Sequence, residues 1–245
     1  MTRSALRIGG LILAILLVGG GALQYHLDNR KSDLELVFTA TAGSEPLVFN
    51  EYLYENPGGP GRFKVRDFRF YLSNIVLTSA EGDYRETESY HLARFDDDAK
   101  SYTVKLPEIP RRNYSKIRFS VGVDEEANLT REWQGDLDPN GKMAWNWEVG
   151  YKFVLVEGSL LMGEARKPIV YHVGFSENLR TQSFKIPQNE LDTSAAVLAF
   201  DVDIMKIFQG STVLNLSELA SVVMKKTDAR VVADNYAKMI SLKTD

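Results

Sequence analysis

Cysteine is absent from all 245 residues, so this chain holds no disulfide, no thiolate metal ligand, no thiol nucleophile and no lipoprotein signal. Histidine is nearly as scarce, with only His26, His91 and His172. No G-x-S-x-G string occurs, which leaves hydrolase triads unsupported. The dense glycine stretch PGGPG at 57–61 lacks the Lys-Ser/Thr and helix start of a phosphate cradle. Long basic runs are missing too. Without Met1–Leu23, 27 Lys and Arg face 33 Asp and Glu, a net charge of about −6. That balance argues against nucleic acid and anionic lipid as partners. With no nucleophile–base pair and no complete metal site in view, the expectation is a protein that is not an enzyme.

What is present begins with a targeting pattern. Arg3 and Arg7 precede an uncharged run from Ile8 to Tyr25, which is a basic flank followed by a short apolar segment. Eighteen residues sit at the low end of a bilayer span, and Gly20 and Ala22 have the small-x-small spacing of a signal-peptidase site. Residues 1–30 are therefore either a cleaved signal or an uncleaved single-pass anchor. In both cases the rest of the chain is exported, to a periplasmic or other extracytoplasmic site, and tethered to the inner membrane if residues 8–25 remain.

The exported part, residues 31–245, reads as one mainly β domain. Leu34, Leu36 and Phe38 alternate with Asp33, Glu35 and Val37, and further strands fall at Phe68–Ser79, Glu88–Phe95, YTVKLPEIP, YSKIRFSVGVD, MAWNWEVGYKFVLVEGSLLM, Pro168–Phe175 and AVLAFDVDIMKIF. Short strands separated by turns, with no interleaved helices, indicate an antiparallel β-sandwich. The tail changes period. Ser217 is placed to cap a helix over ELASVVMKK, and Val231, Val232, Tyr236, Met239 and Ile240 have helical spacing, so two short C-terminal helices are expected.

Candidate chemistry is confined to a few side chains. His91 in SYHLARF and His172 in VYHVGF each lie in a short strand beside a tyrosine. A lone strand histidine is more often a hydrogen-bonded structural residue, but two imidazoles meeting across sheets would suit copper. Trp145 and Trp147 share a strand face with Met143, which suits a bulky core patch. Asp136, Asp138 and Asn140 before Gly141 open like a calcium loop, yet position twelve is Trp147 instead of glutamate and no flanking helices are apparent. A tight Asx-Pro-Gly turn is the competing reading. Asp124 and Asn128, after the strand ending at Gly122, are placed to cap backbone groups or orient a loop.

Taken in order, FRFYLSNIVL, YHL, IRFSVGVDEEAN, GDLDPNGKMAWNWEVGYKFVLVEG, YHVG, VDI and ADNYAKMISL resemble the MbnP-like family over roughly residues 34 to 242. These are exported proteins named after the methanobactin partner of methane oxidisers. The resemblance implies a β-rich fold and copper held through histidines beside a tryptophan oxidised to kynurenine by a partner di-haem peroxidase resembling MauG. It makes His172 the first ligand candidate, His91 the second, and Trp145 or Trp147 the oxidised residue. In related copper-binding surface proteins the kynurenine stands two residues before a histidine; this chain has no W-x-H, and position 89, two before His91, is serine. The expected site thus requires His91 and His172 to converge as the sheets close. The alternative is a metal-free binding or structural module that recognises a protein or small ligand.

Overall fold

The structure, a computed structural model, describes residues 30–87, 89–129, 135–146, 149–187, 191 and 195–243. The Ile8–Tyr25 segment, His26, Trp133 and Trp147 lie outside the described residues. Among those described, no helix is long and apolar enough to cross a membrane.

Among the described residues, fifteen strands and a few short helices follow one another. The first strands are β1 (Lys31–Ala42), β2 (Glu45–Pro46), β3 (Tyr54–Glu55), β4 (Arg62–Ser79), β5 (Gly82–Arg85) and β6 (Tyr90–Phe95). Next come β7 (Ser101–Pro110), β8 (Tyr114–Val121), α1 (Glu125–Leu129), β9 (Ala144–Asn146), β10 (Gly150–Met162) and β11 (Ala165–Gly174). A 3-10 turn at Ser176–Asn178 leads to β12 (Arg180–Lys185), β13 (Ala195–Asp203), α2 (Met205–Phe208), β14 (Ser221–Val222), α3 (Lys226–Tyr236) and β15 (Ile240–Leu242).

Two sheets result. In the smaller, β1 lies between β13 on one edge and β7 with β2 on the other, and β15 extends it beyond β13. The larger sheet is organised by the eighteen-residue β4. Along one edge β4 pairs first with β10, over Arg62–Phe70, and then with β8, over Leu72–Ser79. Its other edge takes β3, β6 and β5 in turn. A register shift after Ser73 and Asn74 at φ 57° mark a bulge in β4, which falls where its other edge passes from β6 to β5.

The sandwich forms because alternate residues of each strand are apolar. Leu34, Leu36 and Phe38 of β1 meet Phe68, Phe70 and Leu72 of β4, Phe119 of β8, Val154 of β10 and Phe200 of β13 in one core between the sheets. The opposite face of the larger sheet carries a second, smaller core of Tyr71, Leu92, Tyr151, Phe153 and Leu155, covered by Ala127 of α1, Leu137 and Met143.

The expected sandwich is mostly but not wholly antiparallel: β1 runs parallel to β13, and β11 parallel to β14. The expected helix over ELASVVMKK is corrected to a turn and the strand β14, because Val170 N–H donates to Ala220 and the Tyr171 hydroxyl to Leu219, drawing that segment onto the edge of β11. The second expected helix exists as α3 but stops at Tyr236, and Ile240 enters β15 beside Val202. Buried Val232, Ala233 and Tyr236 seat α3 on the main core.

Candidate functional site

The two histidines do not meet. His91 lies opposite Leu72, on the main-core face of the larger sheet, whereas His172 lies opposite Leu155, on the outer face. The strands run β6, β4, β10, β11, so three strand spacings, about 14 Å, separate the two rows. No single ion can bond both imidazoles at metal–nitrogen distances of about 2 Å. Each ring has its own carboxylate instead: His91 Nε2 is 2.9 Å from both oxygens of Glu86, and His172 Nε2 is 3.0 Å from Glu157 Oε1.

A calcium loop at Asp136, Asp138 and Asn140 does not form either. Asp136 turns to β6, where Oδ2 accepts the Leu92 N–H at 2.7 Å and the Tyr102 hydroxyl at 3.3 Å. Asp138 Oδ1 accepts Asn140 N–H at 2.8 Å, closing an Asx turn. Among the described residues no group of three His, Cys, Asp or Glu side chains is gathered to hold a metal.

What the fold does bring together is Trp145 and Gly174, two residues beyond His172 on β11. Trp145 of β9 packs where Gly174 of β11 leaves room: a Cβ at Gly174 would stand 2.6 Å from Cζ3 of the indole and 2.3 Å from the Tyr151 carbonyl oxygen. His172 is two residues earlier on β11 and faces the same way, one strand repeat of about 7 Å along the sheet. The indole Nε1 is buried with no acceptor, a cost of about 1–3 kcal/mol. Gly174→Ala is expected to expel the ring and destabilise the protein by about 1–3 kcal/mol, read by chemical denaturation together with a red shift of tryptophan emission.

The flank of Trp145 is held under strain. Phe175, 5.3 Å from the indole between ring centroids, has φ 69° and ψ 133°, a conformation that costs a bulky residue about 1–3 kcal/mol. Next to it, Asn178 is fully buried and donates Nδ2–H to the Gly174 carbonyl at 2.7 Å. Tyr236 of α3 donates its hydroxyl to the Asn178 carbonyl.

His172 opens onto a charged network. Glu157 accepts from Lys142 at 3.0 Å, from Arg66 at 2.8 Å and from His172. Asp67 accepts from Arg69 and Lys142, and Lys152 Nζ donates to the Lys142 carbonyl at 2.6 Å. Burial pushes the Glu157 carboxyl up, but the hydrogen bonds from Lys142, Arg66 and His172 outweigh it and bring it to about 2. Burial lowers His172 below its ordinary value, with Lys152 and Lys142 adding to that against the pull of Glu157. His172 is therefore neutral near pH 7, with Nε2–H donating to Glu157 and the lone pair left on Nδ1.

Asp124 and Asn128 do orient this region. Asp124 caps α1 through Ala127 N–H and accepts the Tyr90 hydroxyl at 2.7 Å. Asn128 Oδ1 accepts Tyr151 N–H at 2.8 Å, fixing the start of β10. Sequence reasoning missed Asp67, Lys142, Lys152, Glu157 and Phe175. The available signal was Lys152 and Glu157 interrupting the otherwise apolar YKFVLVEG, since charges in such a strand need partners. Separate from this corner, a shallow cleft of about 350 Å³ beside the β4 bulge is lined by Asn74, Arg85, Glu86, Arg118, Ser120 and Thr181.

Comparison with known proteins follows the same lines. The sequence profile described as MbnP matches residues 31–225. Among solved structures, MbnP from Methylosinus trichosporium is similar with a TM-score of 0.56 and 18% identity, over 75% of this chain and 80% of that one. At that identity the likeness is one of fold. No curated protein matches the chain.

Proposed function

The chain belongs to the MbnP family, and on that premise we propose that it is an exported, non-catalytic copper-handling protein whose cargo binds at the corner shared by His172 and Trp145. In this reading His172 is the imidazole ligand and Trp145 is the residue oxidised by a di-haem MauG-like peroxidase partner. His91 takes no part.

One observation carries the reading: the described tryptophan of the W-x-W pair packs on Gly174, two residues beyond His172 on the same strand, with an unsatisfied indole N–H. The chain's residues fit a single-imidazole site. A neutral histidine is the form that binds metal, and a carboxylate on its second ring nitrogen fixes tautomer and orientation; Glu157 supplies that carboxylate. Arg66, Arg69, Lys142 and Lys152 outnumber Asp67 and Glu157 around the imidazole. This excess positive charge repels a divalent ion more than a monovalent one, which favours cuprous copper.

Equilibrium dialysis of the full-length protein with Cu(I), after co-expression with the peroxidase, tests the assignment. His172→Ala is expected to lose binding and His91→Ala to retain it. Peptide-resolved mass spectrometry of the same samples is expected to find the oxidised tryptophan at Trp145. Equal binding by wild type and His172→Ala, or oxidation confined to Trp147, would sink this site.

The separation of His91 from His172 supports a second reading, a metal-free module that binds a small polar ligand in the cleft beside Arg118 and Ser120. Dialysis separates the two readings: absence of copper from wild-type protein, oxidised or not, selects the second.

A further inference from the structure

We infer that Phe175 is a positioning residue that fixes the attitude of the Trp145 indole. The inference rests on the reading of Trp145 as the oxidised residue. A chain that only had to turn from β11 into the Ser176–Asn178 segment would place glycine at the positive-φ position. Here the glycine is one residue earlier, at Gly174, where its missing side chain seats the indole, and the left-handed position is given to a phenylalanine. The strained backbone aims the Phe175 ring at Trp145, with an interplanar angle of 36°.

The strain is locked from both sides. Asn178 N–H donates to the Phe175 carbonyl at 2.8 Å, and the Asn178 side chain holds Gly174. Lys226 at the start of α3 also stands over the Phe175 ring, 5.0 Å from the centroid, and is itself paired with Glu177 at 3.0 Å. Phe175 thus contacts both the indole and a cation of α3. Strain of this kind persists where the surroundings over-determine it and the placed group has work to do.

The test compares Phe175→Gly, which relieves the backbone and removes the ring, with Phe175→Tyr, which keeps both. Each is made in the full chain and in a Trp133→Phe, Trp147→Phe background where Trp145 is the sole indole. Phe175→Gly is expected to retain the wild-type urea midpoint or exceed it. Its Trp145 is expected to become open to acrylamide quenching, and its oxidation by the di-haem peroxidase with hydrogen peroxide to slow by roughly a hundredfold, the scale set by an ångström of misplacement. Phe175→Tyr is expected to restore both. Wild-type quenching and wild-type oxidation in Phe175→Gly would overturn the inference. Failure of wild-type protein to be oxidised at Trp145 would instead remove the premise, while the quenching contrast would still report whether Phe175 holds the ring.

Discussion

Phe200→Ala is expected to cost about 3–5 kcal/mol of stability. Phe200 of β13 is fully buried. Its ring stacks on Phe38 at 4.9 Å with an interplanar angle of 13°, and meets Phe119 at 5.5 Å and Phe184 at 5.3 Å, both edge-on. Truncation leaves a void that three rings on three other strands, each fixed by its own ladder, cannot close by shifting. Because a domain of this kind is stable by only about 5–15 kcal/mol, urea unfolding should show the midpoint falling by roughly a fifth or more with the slope unchanged. A loss below about 1.5 kcal/mol would mean that the cluster repacks as freely as in a volume-conserving exchange.

Glu157→Gln carries the second largest effect, expected at about 2–3 kcal/mol near pH 7 in metal-free protein. The amide keeps the shape but removes the charge that Arg66 and Lys142 share, leaving Asp67 alone among those cations. The folded carboxyl titrates at about 2 against an ordinary 4.5, and each unit of such a shift is worth about 1.4 kcal/mol. The side chain is 13% exposed, so solvent screening trims the sum only modestly. Since the folded value is the depressed one, the contribution is complete above 4.5 and is lost as pH falls from 4.5 toward 2. Wild-type stability should therefore decline through that window more steeply than Glu157→Gln, and the two should converge at its acid end. Parallel pH profiles would exclude Glu157 as the anchor of the network.

The strands that carry the site were legible in the sequence because their alternation is local. Phe68–Ser79 and Pro168–Phe175 fall within or nearly within β4 and β11. What could not be read was which strand lies beside which. β4 leaves β10 at Phe70 and takes β8 from Leu72 with nothing in its own composition to mark the change, and β14 forms only because the edge of β11 is there to receive it. The histidines illustrate the same limit. Alternation correctly sets His91 with Ala93, and His172 opposite to Tyr171 and Val173. It does not say that one of these faces looks inward and the other out. Trp145 and His172 were visible as candidates; their adjacency was not, because it arises from β9 folding back over β10 toward Gly174.

The parallel pairing of β1 with β13 has a consequence for how the molecule comes into being. Nine consecutive residues of β1 from Asp33 to Thr41 find their neighbours at Ala195 to Asp203, so the first strand made must wait for nearly the last before one whole edge is satisfied. Closing so long a loop is slow and entropically uphill, and until it happens that edge of β1 stands unpaired. A chain halted before Ala195 would emerge with the edge open and would be prone to clump with its own kind. Maturation is in this sense all-or-nothing: the beginning of the polypeptide cannot take its place until the end arrives.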